Sequence, residues 1–226
     1  MAKNSEELAM HYRELTKARP VSGDPQKVVE RYDELAATYD EHSKFVGYSA
    51  PAGACRRVCE VLTSKDSLIL DVGCGTGMLG ELLNKEGYSN LYGLDPSERS
   101  CDVARSKGCY ATVIQGVARP DSPLSFNDDL LTGHFDALVS SGTFQPGHCD
   151  QNDIPELIRL LRPGGFMVIS TRKASLNETD SYRVKSTLKH YVDTGVLQEF
   201  SYQEFDDYFG FATEDVTGIV LTYKKN

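Results

Sequence analysis

Residues 68–77 read Leu-Ile-Leu-Asp-Val-Gly-Cys-Gly-Thr-Gly, and this stretch decides the fold. Three apolar residues run into Asp71, and glycine then takes every second position, at Gly73, Gly75 and Gly77. Twenty-four residues beyond Asp71 a second acid, Asp95, closes Leu91-Tyr92-Gly93-Leu94-Asp95. A short buried strand, a glycine-rich turn and an acid at the tip of the next strand build a site for a nucleoside-containing cofactor. Glycine lets the chain turn sharply into a helix and lets a ligand approach the backbone without meeting a Cβ. The N–H groups of a helix opening near Gly77 favour a negative ligand group there. The dinucleotide fingerprint G-x-G-x-x-G would place its third glycine at position 78, where Met78 stands. A phosphate P-loop fails as well, because no Gly-Lys-Ser/Thr follows.

Outward from this stretch the pattern alternates. Strands are expected near 68–72, 91–95, 111–115, 135–140 and 165–171, with helices near 77–87, 97–107, 151–161 and 178–194. Short apolar runs separated by helices predict an α/β fold whose mostly parallel sheet is covered on both faces. Two further strands, 197–206 and 214–223, have no helix between them and a loop at 207–213, which predicts an antiparallel ending. Before residue 63 there are no strand signals. Residues 5–18 and 26–41 carry apolar positions at helical spacing, Pro20 and Gly23-Asp24-Pro25 separate them, and Pro51 opens a third helix through Val61. Residues 1–62 are thus expected to form a helical cap, part of the same domain as a core over 63–226.

The chain has 226 residues, enough for one domain, with 40% hydrophobic and 25% charged residues and a formal net charge of −9. That charge argues against a broad nucleic-acid or anionic-membrane surface, since phosphate binding relies on clustered Lys and Arg. The first residues lack the apolar core of a signal peptide, and no apolar run approaches the ~20 residues of a membrane span. The expectation is a soluble, cytoplasmic protein. Its six cysteines (55, 59, 74, 101, 109 and 149) form no C-x-x-C pair, which predicts free thiols and no metal site.

Residues 68–77, Gly93-Leu94-Asp95 and Leu161-Arg162-Pro163-Gly164-Gly165 resemble the class I S-adenosylmethionine-dependent methyltransferases, over roughly residues 30–225. This implies a Rossmann-like fold of seven strands with an antiparallel final strand, and S-adenosyl-L-methionine as cofactor. A narrower resemblance rests on Tyr39-Asp40, Ile154-Pro155-Glu156-Leu157 and Ser170-Thr171-Arg172. It is to the methyltransferase-like family of the Williams–Beuren syndrome chromosome region, which sharpens fold and cofactor more than reaction. The resemblance implies that Asp71, Gly73, Cys74, Gly75, Gly77 and Met78 hold the amino-acid portion of the cofactor. It implies that Pro96 and Ser97 lie against its adenine and that Tyr39 reaches its methionine end; Tyr32, in the cap, is counted with the cofactor-binding residues. Asp95 has a chemical reason of its own: a carboxylate there can accept hydrogen bonds from both ribose hydroxyls, leaving Ser97 to cap the next helix. Where many members carry an acid after the third strand, this chain has Gln115-Gly116-Val117-Ala118, so Gly116 and Val117 are expected to serve adenine by backbone and apolar contact. Ser140 and Ser141 follow the fourth strand of the core and are implied to border the methyl group.

Methyl transfer asks the protein mainly to align a nucleophile, with a base where the acceptor carries a proton. Acceptor-side candidates fall in three places: Tyr39, His42, Phe45 and Tyr48 in the cap; Phe144 and His148 in the loop after the fourth strand; and Arg172 after the fifth. His148 is the expected base because histidine titrates near neutral pH. Tyr39 is a second catalytic candidate, with core packing as its competing role. No Asn-Pro-Pro-Tyr or Asp-Pro-Pro-Tyr stretch marks a nucleic-acid base or protein glutamine as acceptor, which favours a small molecule methylated on O, N or S. A protein methyltransferase and a non-catalytic cofactor-binding module acting through a partner remain as alternatives. The oligomeric state is not readable from the chain.

Overall fold

A computed structural model describes residues 5–17, 24–126, 129–130, 132–210 and 216–226. Pro20, Gly23 and the ends of the 207–213 loop and 214–223 strand lie outside the described residues. Four helices come first: α1 (Ser5–Lys17), α2 (Pro25–Leu35), α3 (Tyr39–Val46) and α4 (Ala50–Val61). The alternating part follows as β1 (Ile69–Val72), α5 (Met78–Lys85), β2 (Leu91–Asp95), α6 (Glu98–Ser106) and β3 (Thr112–Gln115). A minor hairpin, β4 (Ser125–Phe126) with β5 (Asp129–Leu130), leads to β6 (Phe135–Ser141), α7 (Ile154–Leu160) and β7 (Leu161–Arg172). After a 3₁₀ turn come α8 (Val184–Asp193), β8 (Leu197–Phe205) and β9 (Gly218–Lys225).

Seven strands form one sheet in the order β3-β2-β1-β6-β7-β9-β8. The pairs β1–β2, β2–β3, β1–β6 and β6–β7 are parallel, while β9 runs antiparallel to both of its neighbours. The final strand therefore runs against the rest of the sheet, as the resemblance implied. Strand order reverses between β1 and β6, and in such sheets ligands bind beyond the carboxyl ends of the strands at that point. Strand alternation separates two cores. Leu70 and Leu138 face one with Ile154, Leu157 and Leu188, while Ile69, Ala137 and Val139 face the other with Ala54 and Val58 of α4.

Two helical boundaries depart from the sequence pattern. The run expected at 26–41 breaks after Leu35, where the Thr38 N–H bonds Leu35 O at 3.0 Å, and α3 restarts at Tyr39. Tertiary partners of α3, described below, outweigh local helix propensity here. The helix expected from 178 begins only at Val184. Thr179 and Tyr182 instead form an isolated bridge, and Glu178 reaches across to accept the Ser186 N–H at 2.6 Å in the first turn of α8.

Candidate functional site

At the end of β1 the glycine loop is held in its conformation by β2. The N–H groups of Gly73 and Cys74 donate to Leu94 O at 2.7 and 3.1 Å, and the Gly75 N–H donates to Asp95 Oδ2 at 2.9 Å. Gly73 has φ +71°, and a Cβ added there would lie 2.2 Å from Thr143 Oγ1. Asp95 Oδ1 accepts the Ser97 N–H at 2.9 Å, while the Ser97 hydroxyl accepts the Ser100 N–H and so caps α6. The expected division of labour, Ser97 on the helix and Asp95 left for ligand, is thus half met. Each Asp95 oxygen already takes one backbone donor and keeps further lone pairs.

Asp71 is 2% exposed. Tyr110 donates its hydroxyl to Asp71 Oδ2 at 2.6 Å, whereas the buried Oδ1 has no hydrogen-bond partner among the described residues. Burial lifts the Asp71 carboxyl to about 7, against the opposing Tyr110 bond and with help from the nearby Asp95 charge. Burial likewise lifts Asp95 to about 6, opposed by its two backbone donors. A buried and a partly buried carboxylate, both with raised pKa values, suit a ligand that brings hydrogen-bond donors and positive charge. The orphaned Asp71 oxygen fits the ammonium of an amino-acid moiety.

These groups wall an open cavity of about 1200 Å³, mouth included. Tyr32, Tyr39, Asp71, Gly73, Cys74, Gly75, Met78, Asp95, Pro96, Ser97, Gly116, Val117 and Ser141 all line it. Val117 is 47% exposed although apolar, as a flat surface left for a ring would be. Gly77 stands outside the lining as the left-handed cap of α5, packed on Tyr110 and Ala104. Ser140, one residue out of phase with Ser141 on the same strand, is also outside it.

Of the acceptor-side residues, the structure brings Tyr48 and His148 to the cavity along with Tyr32 and Tyr39. His148 Nε2 lies 2.9 Å from the Tyr32 hydroxyl and 3.3 Å from Gln145 Nε2, with Nδ1 3.4 Å from Pro146 O. With the phenol and the amide both donating, Nε2 is assigned as the bare nitrogen and Nδ1 as the protonated one. The Tyr48 hydroxyl is pressed against the chain at Gly142, where an added Cβ would come within 2.0 Å of it. The remaining candidates are placed elsewhere. His42 pairs with His11 through Nδ1 atoms 2.7 Å apart, and Phe45 stacks on His11 with ring centroids 4.0 Å apart. Phe144 is a core side chain at 1% exposure, and Arg172 donates to Gln145 Oε1 at 3.0 Å behind the histidine. None of these four lines the cavity.

Several site residues escaped the sequence reading. Tyr110, Thr143 and Thr76 carry no local signal. Arg119 and Asp153 also line the cavity and form an ion pair at 2.7 Å. The cap is tied to the core by two carboxylates. Asp33 on α2 accepts the Ser97 hydroxyl at 2.6 Å and the Arg99 N–H at 3.1 Å. Asp40 on α3 accepts the Thr76 hydroxyl and pairs with Lys107, both at 2.5 Å. Among the described residues no cluster of His, Cys, Asp and Glu has a metal-binding arrangement, and no helix is long and apolar enough to cross a membrane.

Residues 69–165 match a family model described as a methyltransferase domain. The human methyltransferase-like protein 27 is 30% identical over 169 residues, covering 74% of this chain and 66% of that protein. The ubiquinone/menaquinone biosynthesis C-methyltransferase of Campylobacter jejuni is 27% identical over 154 residues, covering 64% of this chain and 63% of that protein. The matched stretch thus spans just under two thirds of either relative. Among solved structures, a Thermotoga maritima S-adenosylmethionine-dependent methyltransferase titled "possible histamine N-methyltransferase" has the same fold. Its TM-score is 0.60 at 17% identity, with 86% of this chain and 98% of that chain covered.

Proposed function

We propose that this chain, whose residues 69–165 match a methyltransferase domain, is a class I methyltransferase that uses S-adenosylmethionine to methylate a small-molecule acceptor on O, N or S. Within this reading the 1–62 cap and the 63–226 core work as one unit, in the cytoplasm, without nucleic acid or membrane as partner. The chain is grouped with the methyltransferase-like family of the Williams–Beuren region, on Tyr39-Asp40, Ile154-Pro155-Glu156-Leu157 and Ser170-Thr171-Arg172. The observation that carries the reading is the buried, unpartnered Oδ1 of Asp71 beside the glycine loop.

When bound, S-adenosylmethionine supplies a methyl group activated on a sulfonium. Asp71 holds its amino group and Asp95 its ribose, while Pro96, Ser97, Gly116 and Val117 flank its adenine. Ser141 and Gly142 floor the space beyond. His148, its Nε2 bare, takes the acceptor's proton, and Tyr32 and Gln145 keep the ring in that tautomer. The helical cap limits the acceptor to a molecule that fits beneath it. Isothermal titration of the chain with S-adenosylhomocysteine tests the cofactor assignment. Binding that Asp95→Ala weakens by about tenfold or more, as loss of hydrogen bonds to a charged acceptor predicts, supports it. No binding to the intact chain sinks it.

A further inference from the structure

Three tyrosines that line the cavity gather on the acceptor side. Tyr32 and Tyr39 have ring centroids 6.1 Å apart, Tyr32 meets the His148 ring edge-on at 5.4 Å, and Tyr48 backs onto Tyr208 at 5.4 Å. Burial pushes the pKa values of Tyr39 and Tyr48 well up, with the Tyr48 phenol opposing ionisation of Tyr39 and the Tyr208 phenol that of Tyr48. Tyr39 and Tyr48 are therefore neutral phenols at any physiological pH.

The charged groups of the same cavity are unbalanced. Among the described residues, Asp71, Asp95 and Asp153 line it against one guanidinium, Arg119, which is already paired with Asp153, and no lysine lines it. Among these lining residues an anionic acceptor finds no uncommitted lysine or arginine. An organic cation would find neutral aromatic rings, whose faces attract positive charge, and, with Asp71 given to the cofactor's ammonium and Asp153 paired with Arg119, the remaining carboxylate of Asp95.

We propose that Tyr32, Tyr39 and Tyr48 form a cage for the ammonium of a small primary or secondary amine, with His148 at its wall. This rests on the reading of the cavity as a methyl-transfer site and names its acceptor class. The ammonium displaces the Tyr32 and Gln145 donors from His148 Nε2, gives that nitrogen its proton and becomes the neutral amine. The nitrogen lone pair then forms the new nitrogen–carbon bond as the carbon–sulfur bond breaks, with the electron pair of that bond staying on sulfur. A neighbouring sulfonium charge favours the proton's departure, because like charge lowers the pKa of an ammonium.

The test uses three probes of one shape and different charge: phenethylamine, 2-phenylethanol and 3-phenylpropionate. Each is titrated at pH 8 into the full chain saturated with S-adenosylhomocysteine. The expected order is amine, then alcohol, then acid, with phenethylamine about tenfold tighter than 2-phenylethanol, since desolvated cation–π contacts reach that scale. Tyr48→Phe keeps a ring and should hold that preference within threefold, while Tyr48→Leu should lose most of it. Should Tyr48→Leu fail to fold, the charge series on the unaltered chain still decides. Equal binding of amine and alcohol, preference for the acid, or no binding of the amine overturns the cage. Failure of S-adenosylhomocysteine to bind would overturn the cofactor assignment instead, and the two failures are read in separate titrations.

Discussion

Replacing Asp71 with asparagine should stabilise the ligand-free protein and weaken its grip on cofactor. Burial raises the Asp71 carboxyl from 3.8 to about 7. A carboxyl whose folded pKa lies above its unfolded value holds its proton more tightly when folded. Its effect favours folding in acid and is lost as pH climbs from about 4 to about 7. Three pKa units correspond to about 4 kcal/mol of strain in the ionised, empty site. Asparagine has the same shape, carries no charge and still offers an oxygen to the Tyr110 hydroxyl, 2.6 Å from Oδ2 in the native protein. Differential scanning calorimetry should therefore find Asp71→Asn with a Tm several degrees above the native chain at pH 8, about 2–4 °C per kcal/mol, and equal to it near pH 4. The binding consequence has the opposite sign. An ammonium that prefers ionised Asp71 makes cofactor affinity fall about tenfold from pH 8 to pH 6, which is the deprotonated fraction of a group with pKa about 7. Asp71→Asn should flatten that dependence and cost about 1.5–3 kcal/mol of binding at pH 8, the worth of a charged hydrogen bond. Titration of S-adenosylhomocysteine at both pH values, in buffers of different ionisation heat, reads the affinity and the released proton together. A variant less stable than the native chain at pH 8, or one that keeps the pH dependence, would refute the role assigned to this carboxylate.

Gly73→Ala should cost more stability than Gly75→Ala. Both adopt positive φ, worth about 1–2 kcal/mol, but only at Gly73 does the added Cβ strike another residue, 2.2 Å from Thr143 Oγ1, whereas at Gly75 nothing lies within 4 Å. Chemical denaturation ranks the two, and a larger loss at Gly75 would contradict the geometry. Asp40→Ala removes the acceptor of the Thr76 hydroxyl and one of the two carboxylates on Lys107, leaving Glu81. It should weaken S-adenosylhomocysteine binding several-fold and speed protease cleavage between α2 and α3, and an unchanged cleavage rate would count against a tethered cap. His148→Gln should leave S-adenosylhomocysteine affinity within twofold while slowing methylation of an accepted amine by about 100-fold, the usual worth of a positioned base. Wild-type single-turnover rates in that variant would remove His148 from the chemistry.

What the sequence reveals about this site follows from distance along the chain. Residues 68–77 and Asp95 are legible because strand, turn and acid are consecutive, and each glycine answers a local backbone demand. The antiparallel ending is legible for a related reason: two strand patterns with no intervening helix exclude a parallel crossover. The cap is different. No glycine or proline interrupts 26–41, so periodicity runs on through Thr38, and the break is decided by Asp40 meeting groups 36 and 67 residues away. Tyr110 reaches Asp71 over 39 positions, and Thr143 crowds Gly73 over 70. Neither follows from spacing. His42 and Phe45 show the converse failure. Their residue types suit an acceptor site, but α3 can turn only one face to the cavity, and His11 claims theirs. Local pattern thus marks the loop proposed to dock the cofactor's polar groups, because backbone geometry shapes that loop. On the proposed reading, acceptor recognition depends on which face each cap helix turns inward, and carboxylate ties such as Asp33 to Ser97 and Asp40 to Lys107 hold those helices in place. Exchanging those ties while leaving residues 68–77 intact should therefore change which acceptor is bound without changing the cofactor.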